Sequence, residues 1–294
     1  MTQSSVWLVE PLDSSRFRWF TSALDRTRLP RVEVLTPRTL DDALALKAER
    51  PDAVPIQGGT DVMVELNFDR ARPETLLNLN EVPELRGWSR EAGWLRLGSG
   101  LTYAEAMQPP LREQLQALAE ASRTVGSPQI RNRGTIGGNL GTASPAGDAL
   151  PPLLVYGTEV VCGSVRGVRT VPLERFLLGP KQNALLPDEL ILAVRIEPQG
   201  WRQTFMKVGP RNAMVIAVVS LALAVDEERG EIRASYGSAG PKPGFLVAPL
   251  EEAGDFADKV ARDASPIDDV RGTARYRTHA LRVLVERALN RCRT

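Results

Sequence analysis

The sequence predicts an α+β protein, and three observations carry that prediction. Short apolar runs alternate with a helical stripe near the start, a long polar stretch rich in glycine follows, and alternating strands then give way to two closing helices. With 294 residues, 43% of them hydrophobic, the chain can bury a sizeable core divided into two or three subdomains. Lys plus Arg number 37 and Asp plus Glu 36, a balance that gives nucleic acid and anionic membranes nothing to grip. Cys162 and Cys292 stand far apart in no CxxC pattern, so neither a Cys₄ iron–sulfur cluster nor a disulfide framework is expected, and a reducing compartment is. Val6-Trp7-Leu8-Val9 is broken by Glu10, Pro11 and Asp13, which makes a poor secretory signal. No run approaches the ~18 apolar residues of a membrane helix, and a cytoplasmic protein is expected.

The elements follow in order. Residues 1–30 are irregular, with scattered aromatics (Trp7, Phe17, Trp19, Phe20), and read as an extension. Residues 32–35 alternate as a strand. Thr39 then caps a helix whose Asp41 and Asp42 suit the positive end and whose Leu40, Ala43, Leu44 and Ala48 form an apolar stripe; Pro51 ends it. A strand at 53–56 leads into Gln57-Gly58-Gly59-Thr60-Asp61, and further strands are expected at 76–79 and 94–97. An amphipathic helix spans 102–122 with a break at Pro109-Pro110. The polar segment 126–148 has no helical or strand periodicity and is too long for an idle connection. A short helix and a hairpin turning near Arg166-Gly167 occupy 150–171. Strands at 190–196, 204–208, 215–224 and 232–237 precede helices at 250–264 and 274–289. A boundary near 197–201 divides the chain into an extension (1–30), a first domain (31–198) and a second (199–294).

Two glycine segments carry the chemistry. Gly58-Gly59-Thr60-Asp61 ends a strand and Thr135-Ile136-Gly137-Gly138-Asn139 sits inside the polar segment. Paired glycines let backbone N–H groups approach an anion closely, and two such segments one folding unit apart suit a diphosphate gripped from both sides. Each segment taken alone also reads as a tight turn closed by an Asx or hydroxyl hydrogen bond. Neither is followed by Lys-Ser or Lys-Thr, which excludes a P-loop. Leu97-Gly98-Ser99-Gly100 lacks the third glycine of a dinucleotide fingerprint and reads as a turn before a helix. Asp148 can accept from a ribose hydroxyl; Arg131 and Arg133 face phosphate, a partner or solvent. His279, the single histidine, lies among Arg275, Arg277 and Arg282, a surface or interface setting.

The stretches 55–61 and 130–148, continued by Phe205-Met206-Lys207-Val208-Gly209, 211–217 and 266–277, resemble the FAD-binding medium subunit of molybdenum hydroxylases, the xanthine dehydrogenase and carbon monoxide dehydrogenase family. The likeness runs from about Val32 to the C-terminus and is strongest to bacterial xanthine dehydrogenase flavin subunits. It implies a two-lobed PCMH-type FAD-binding domain followed by a CO dehydrogenase flavoprotein-type α+β domain. It also implies a cofactor site. Val54, Pro55, Ile56, Gln57, Gly58, Gly59, Thr60 and Asp61 would join Thr135, Ile136, Gly137, Gly138 and Asn139 around the pyrophosphate and ribityl chain. Asp148 would contact the adenosine side, Ile191 would reach the flavin through backbone and packing, and Lys207 would lie near the isoalloxazine ring, where a cation favours reduced flavin. On its residue type alone, Lys207 reads as a strand lysine facing solvent.

The same resemblance implies partners: a large subunit with the molybdenum cofactor, a small subunit with two 2Fe–2S clusters, and NAD⁺ as electron acceptor. Two departures stand out. Ala213 and Met214 occupy positions that are acidic in some members, and two cysteines are too few for the extra cluster that some relatives hold. Two other readings compete: a stand-alone FAD-dependent reductase of the same fold, which would need a proton donor beside the flavin, and a scaffold that has lost flavin.

Overall fold

The computed structural model describes residues 32–197 and 200–293. The extension expected at 1–30 lies outside the described residues, as do Pro198 and Gln199 at the expected boundary.

The first lobe runs through β1 (Glu33–Leu35), α1 (Leu40–Glu49), β2 (Val54–Ile56), α2 (Val62–Asn67) and β3 (Thr75–Asn78). Its parallel sheet has the order β1-β3-β2. Thr39 caps α1 as its sequence suggests, its hydroxyl accepting from the Asp42 amide at 3.1 Å. Lys47 is buried on this helix, yet its ammonium donates to the carbonyls of Pro51 at 2.8 Å and Ala53 at 2.7 Å. Those bonds satisfy a charge that burial would otherwise penalise, and they fold the chain from α1 back into β2. Helix α2, which no sequence signal marked, carries the chain directly away from the first glycine segment.

The second lobe contains β4 (Trp88–Glu91), β5 (Trp94–Gly98), α3 (Tyr103–Ala106), α4 (Leu111–Gln114), α5 (Gln116–Thr124), α6 (Pro128–Arg133), α7 (Ile136–Thr142), α8 (Leu150–Val155), β6 (Glu159–Ser164), β7 (Gly167–Pro172), α9 (Leu173–Phe176), β8 (Leu177–Gly179), β9 (Gln182–Asn183) and β10 (Leu190–Ile196). An antiparallel sheet, β4-β5-β10-β6-β7, supports it. The helix expected over 102–122 is three pieces. Thr102 and Glu105 form a capping box that starts the one-turn α3, and Pro109-Pro110 separates it from α4. The segment 126–148 is not an open loop: Ser127 caps α6, and Thr135 caps α7, so the second glycine segment is the start of a helix.

The C-terminal unit is a meander of β11 (Arg202–Val208), β12 (Val219–Asp226), β13 (Glu231–Gly237) and β14 (Gly244–Pro249), closed by α10 (Ala253–Asp263) and α11 (Ala274–Arg293). Strand β12 starts later than the apolar run from Val215 suggests. The Arg211 guanidinium donates to the carbonyls of Ala213 at 3.1 Å and Met214 at 2.7 Å, holding the preceding residues in a loop with Met214 in the left-handed region, φ 51°. Along β12 the side chains alternate between two cores, as a period of two requires. Val219, Leu221, Leu223 and Val225 pack with α10 and α11, whereas Ala222 and Ala224 join the core of the second lobe. Glu120 on α5 reinforces that join: it accepts from the Thr204 hydroxyl at 2.9 Å, the Phe205 amide at 2.7 Å and Arg291 at 2.9 Å. Among the described residues no helix is long and apolar enough to cross a membrane.

Candidate functional site

A cleft of about 280 Å³ opens between the first lobe, the start of α7 and the edge of β10. Ligand pockets commonly span roughly 300–1,000 Å³, so this cleft lies at the small end of that range. All eight residues of 54–61 line it, together with Thr135, Gly137, Gly138, Asn139 and Ile191. The parallel sheet ends there: β2 delivers the first glycine segment to the cleft just past its last residue.

The two segments contribute differently. Among the described residues, the main-chain N–H groups of Gly58, Gly59 and Thr60 donate to no protein acceptor. Gly59 has φ +74°, a conformation suited to glycine, and a Cβ on Gly58 would collide with the Arg133 carbonyl. The α7 segment has spent its amides. Ile136 N–H donates to Leu101 O at 2.9 Å, Gly137 N–H to Ser99 O at 2.8 Å and Asn139 N–H to Thr135 O at 3.0 Å. Gly138 N–H donates to the Thr135 hydroxyl at 3.0 Å. What this segment offers the cleft is a wall without side chains at Gly137 and Gly138: a Cβ on Gly138 would press on Thr135 Oγ1, at 3.1 Å, and on nothing else of the protein.

Side chains tie the lobes together at the rim. The Thr142 hydroxyl donates to Asp61 Oδ2 at 2.7 Å, and Lys181 pairs with Glu65 at 2.9 Å, holding the Glu65 carboxyl below its usual range. Arg133 reaches Gln57 O and Asn80 Oδ1, both at 3.4 Å, whereas Arg131 donates to the carbonyls of Val125 at 3.0 Å and Gly126 at 2.9 Å. Both arginines therefore brace the protein itself.

Three of the expected cofactor residues lie elsewhere. Ile136 is buried in the core of the second lobe. Asp148 and Lys207 pair with each other, Nζ to Oδ2 at 2.5 Å, with side chains 8% and 6% exposed, and neither lines the cleft. Lys207 also donates to Thr124 O at 3.3 Å, so it is not a solvent-facing strand lysine. Burial pushes the Asp148 carboxyl up from its ordinary value, and the Lys207 ammonium opposes that shift. His279 sits in a separate, shallow groove between α10 and α11. Conversely, Ser99, from the segment read as a turn before a helix, and Tyr103, which no motif marked, both line the cleft. The turn at Gly98-Ser99-Gly100 brings them there, and the Thr102–Glu105 capping box was the one local signal that fixed the turn after it.

The geometry describes a glycine-walled cleft in an α+β protein with two lobes and an appended meander. Comparison with known proteins identifies the class. Residues 30–199 match the family described as the FAD binding domain in molybdopterin dehydrogenase. The xanthine dehydrogenase FAD-binding subunit of Escherichia coli O157:H7 is 30% identical over 270 residues, covering 86% of this chain and 92% of that protein. The nicotinate dehydrogenase FAD-subunit of Eubacterium barkeri is 35% identical over 201 residues, 66% of this chain and 68% of that protein. A solved structure of carbon monoxide dehydrogenase from Hydrogenophaga pseudoflava superposes with a TM-score of 0.83 at 28% identity, covering 90% of this chain and 97% of that one. The chain belongs to the FAD-binding subunits of the molybdenum hydroxylase family. Its class of activity is oxidoreductase and its cofactor FAD.

Proposed function

We propose that this chain holds FAD in the cleft, takes electrons from the 2Fe–2S clusters of a small partner subunit, and passes a hydride to NAD⁺. A large partner subunit with the molybdenum cofactor would oxidise the substrate, within a cytoplasmic complex. One observation carries the reading: Gly58, Gly59 and Thr60, whose amides have no protein acceptor among the described residues, line the same cleft as Gly138, where a side chain would meet Thr135 Oγ1 and nothing else of the protein. Convergent N–H groups make a concave nest for anionic oxygens, and a glycine wall lets them come close; both suit a diphosphate. The names of the relatives above support the same reading.

When bound, FAD supplies the chemistry, accepting electrons singly and releasing them as a pair. The protein's part is to bind and orient. Gly58, Gly59 and Thr60 receive the diphosphate; Gly138 and Asn139 form the opposite wall; Ile191, 8% exposed on β10, supplies an apolar surface that excludes water. Asp61 is held by Thr142 and keeps the two walls in register. Asp148 and Lys207 act from behind the cleft, bracing the chain between α7 and α8 against β11. In this reading 31–198 form the flavin domain and 199–294 the domain that completes it.

Adding NADH without oxygen to the purified, FAD-loaded chain should bleach its visible flavin absorbance. Bound FAD that NADH leaves oxidised would overturn NAD⁺ as the acceptor. Isolation of the tagged chain from its own cell should bring down molybdenum and iron together, and a chain recovered alone would overturn the partners.

A further inference from the structure

The inner wall of the cleft holds a side chain with an unspent donor. Tyr103 opens α3 and is only 5% exposed, and it lines the cleft beside Ser99, Gln57 and Gly138. Its position is fixed by the backbone around it. Thr102 N–H donates to Glu105 Oε2 at 2.7 Å within the capping box, and Tyr103 N–H donates to Gly134 O at 3.1 Å. The ring lies flush on Gly134, where a Cβ would come within 2.9 Å of Tyr103 Cε2.

Buried tyrosine hydroxyls ordinarily find a partner. Among the described residues, this one makes no hydrogen bond. It also differs from Ser99 Oγ and Asn139 Oδ1, two neighbouring polar atoms that are unpartnered and sealed from solvent. The Tyr103 hydroxyl therefore opens outward, and the opening it lines is the cleft. Burial, then the carboxylates of Asp148 and Asp61, push the phenol well above its ordinary pKa, so it stays a donor across the physiological range.

We propose that Tyr103 is a cofactor-contacting residue whose hydroxyl donates a hydrogen bond to an oxygen on the diphosphate–ribityl stretch of the bound flavin dinucleotide. A neutral phenol that has no protein acceptor can donate to an anionic or a hydroxyl oxygen of the ligand without adding charge of its own. The proposal rests on the flavin reading of the cleft. It adds a third contact, from α3, to the two glycine segments.

Tyr103→Phe tests it, because the ring and its packing survive while the hydroxyl is removed. Since that hydroxyl has no protein partner to lose, the melting temperature of the apoprotein should match wild type. The FAD dissociation constant, measured by quenching of flavin fluorescence on titration, should rise about tenfold, equivalent to ~1.4 kcal/mol. If wild type binds FAD and Tyr103→Phe binds it within about twofold, the Tyr103 contact is wrong and the flavin reading stands. If wild type binds no FAD, the flavin reading falls and takes this contact with it. A markedly lower apoprotein melting temperature in Tyr103→Phe would show that the hydroxyl serves the fold, which also overturns the proposal.

Discussion

Gly138→Ala places a methyl group on the wall of the cleft, where only Thr135 Oγ1, at 3.1 Å, stands within contact distance. Gly138 lies inside α7 and outside the positive-φ region, so alanine adopts its backbone without strain. Helix propensity then favours alanine by about 0.5–1 kcal/mol, which is on the order of 1–4 °C in Tm for a chain of this size. The cofactor meets the same methyl as an obstruction. Overpacking of a fitted surface costs about 1–3 kcal/mol, so FAD should bind about 5- to 150-fold more weakly, with Gly138→Val at the upper end. Gly137→Ala, one residue away, should behave in the opposite sense. Its Cβ would lie 2.5 Å from Ser99 Cβ and 2.7 Å from Ser99 O, and the turn that carries Ser99 is bonded to Leu192 O and cannot give. The apoprotein should lose about 1–3 kcal/mol there. Thermal melts of flavin-free protein and FAD titrations read the two effects separately. Wild-type FAD affinity in Gly138→Ala, or a Gly137→Ala apoprotein as stable as Gly138→Ala, would refute the reasoning.

Two further predictions concern ion pairs. Lys207→Met leaves the Asp148 carboxylate buried without its cation, which should cost about 3–5 kcal/mol, and combining it with Asp148→Leu should recover most of that; denaturant midpoints of wild type, the two single variants and the double check this. Asp269 is held well below the usual carboxylate range, first by hydrogen bonding to Arg271 and further by the buried Arg277. A carboxyl depressed in the folded state contributes stability above its unfolded pKa of about 3.9, and that contribution is lost as pH falls toward the folded value. Asp269→Asn should therefore flatten the decline of Tm on acidification below about pH 4; an unchanged acid limb would show that Asp269 titrates alike in both states.

Part of the fold was legible because the signals are local. Thr39 with Asp41 and Asp42 announces α1, and the alternation along 232–237 announces β13. The first glycine segment was legible for the same reason, since it directly follows a strand. The second was legible as a glycine segment but not as a helix. Gly137, Gly138 and Gly141 lower helix propensity, and the helix forms because Gly137 packs against Ser99, a tertiary contact that propensity does not see. Strand β12 was placed too early because its apolar run starts at Val215, whereas pairing with β11 starts only at Val219, opposite Val208. Edge strand β14 escaped notice because Pro241 and Pro243 precede it, and prolines argue for a loop. Tyr103 reaches the cleft through Gly134, and Lys207 reaches Asp148 across the boundary between the two main units. Neither juxtaposition leaves a trace in local spacing, so nothing in the sequence announces that Asp148 and Lys207 pair with each other.

The most direct measurement is the flavin content of the purified chain. Its visible spectrum and chromatography of the heat-released cofactor should show near-stoichiometric FAD, retained by wild type and lost by Gly138→Val while the apoprotein stays folded. Protein that takes up no flavin even when reconstituted with excess FAD would contradict the cleft as a flavin site.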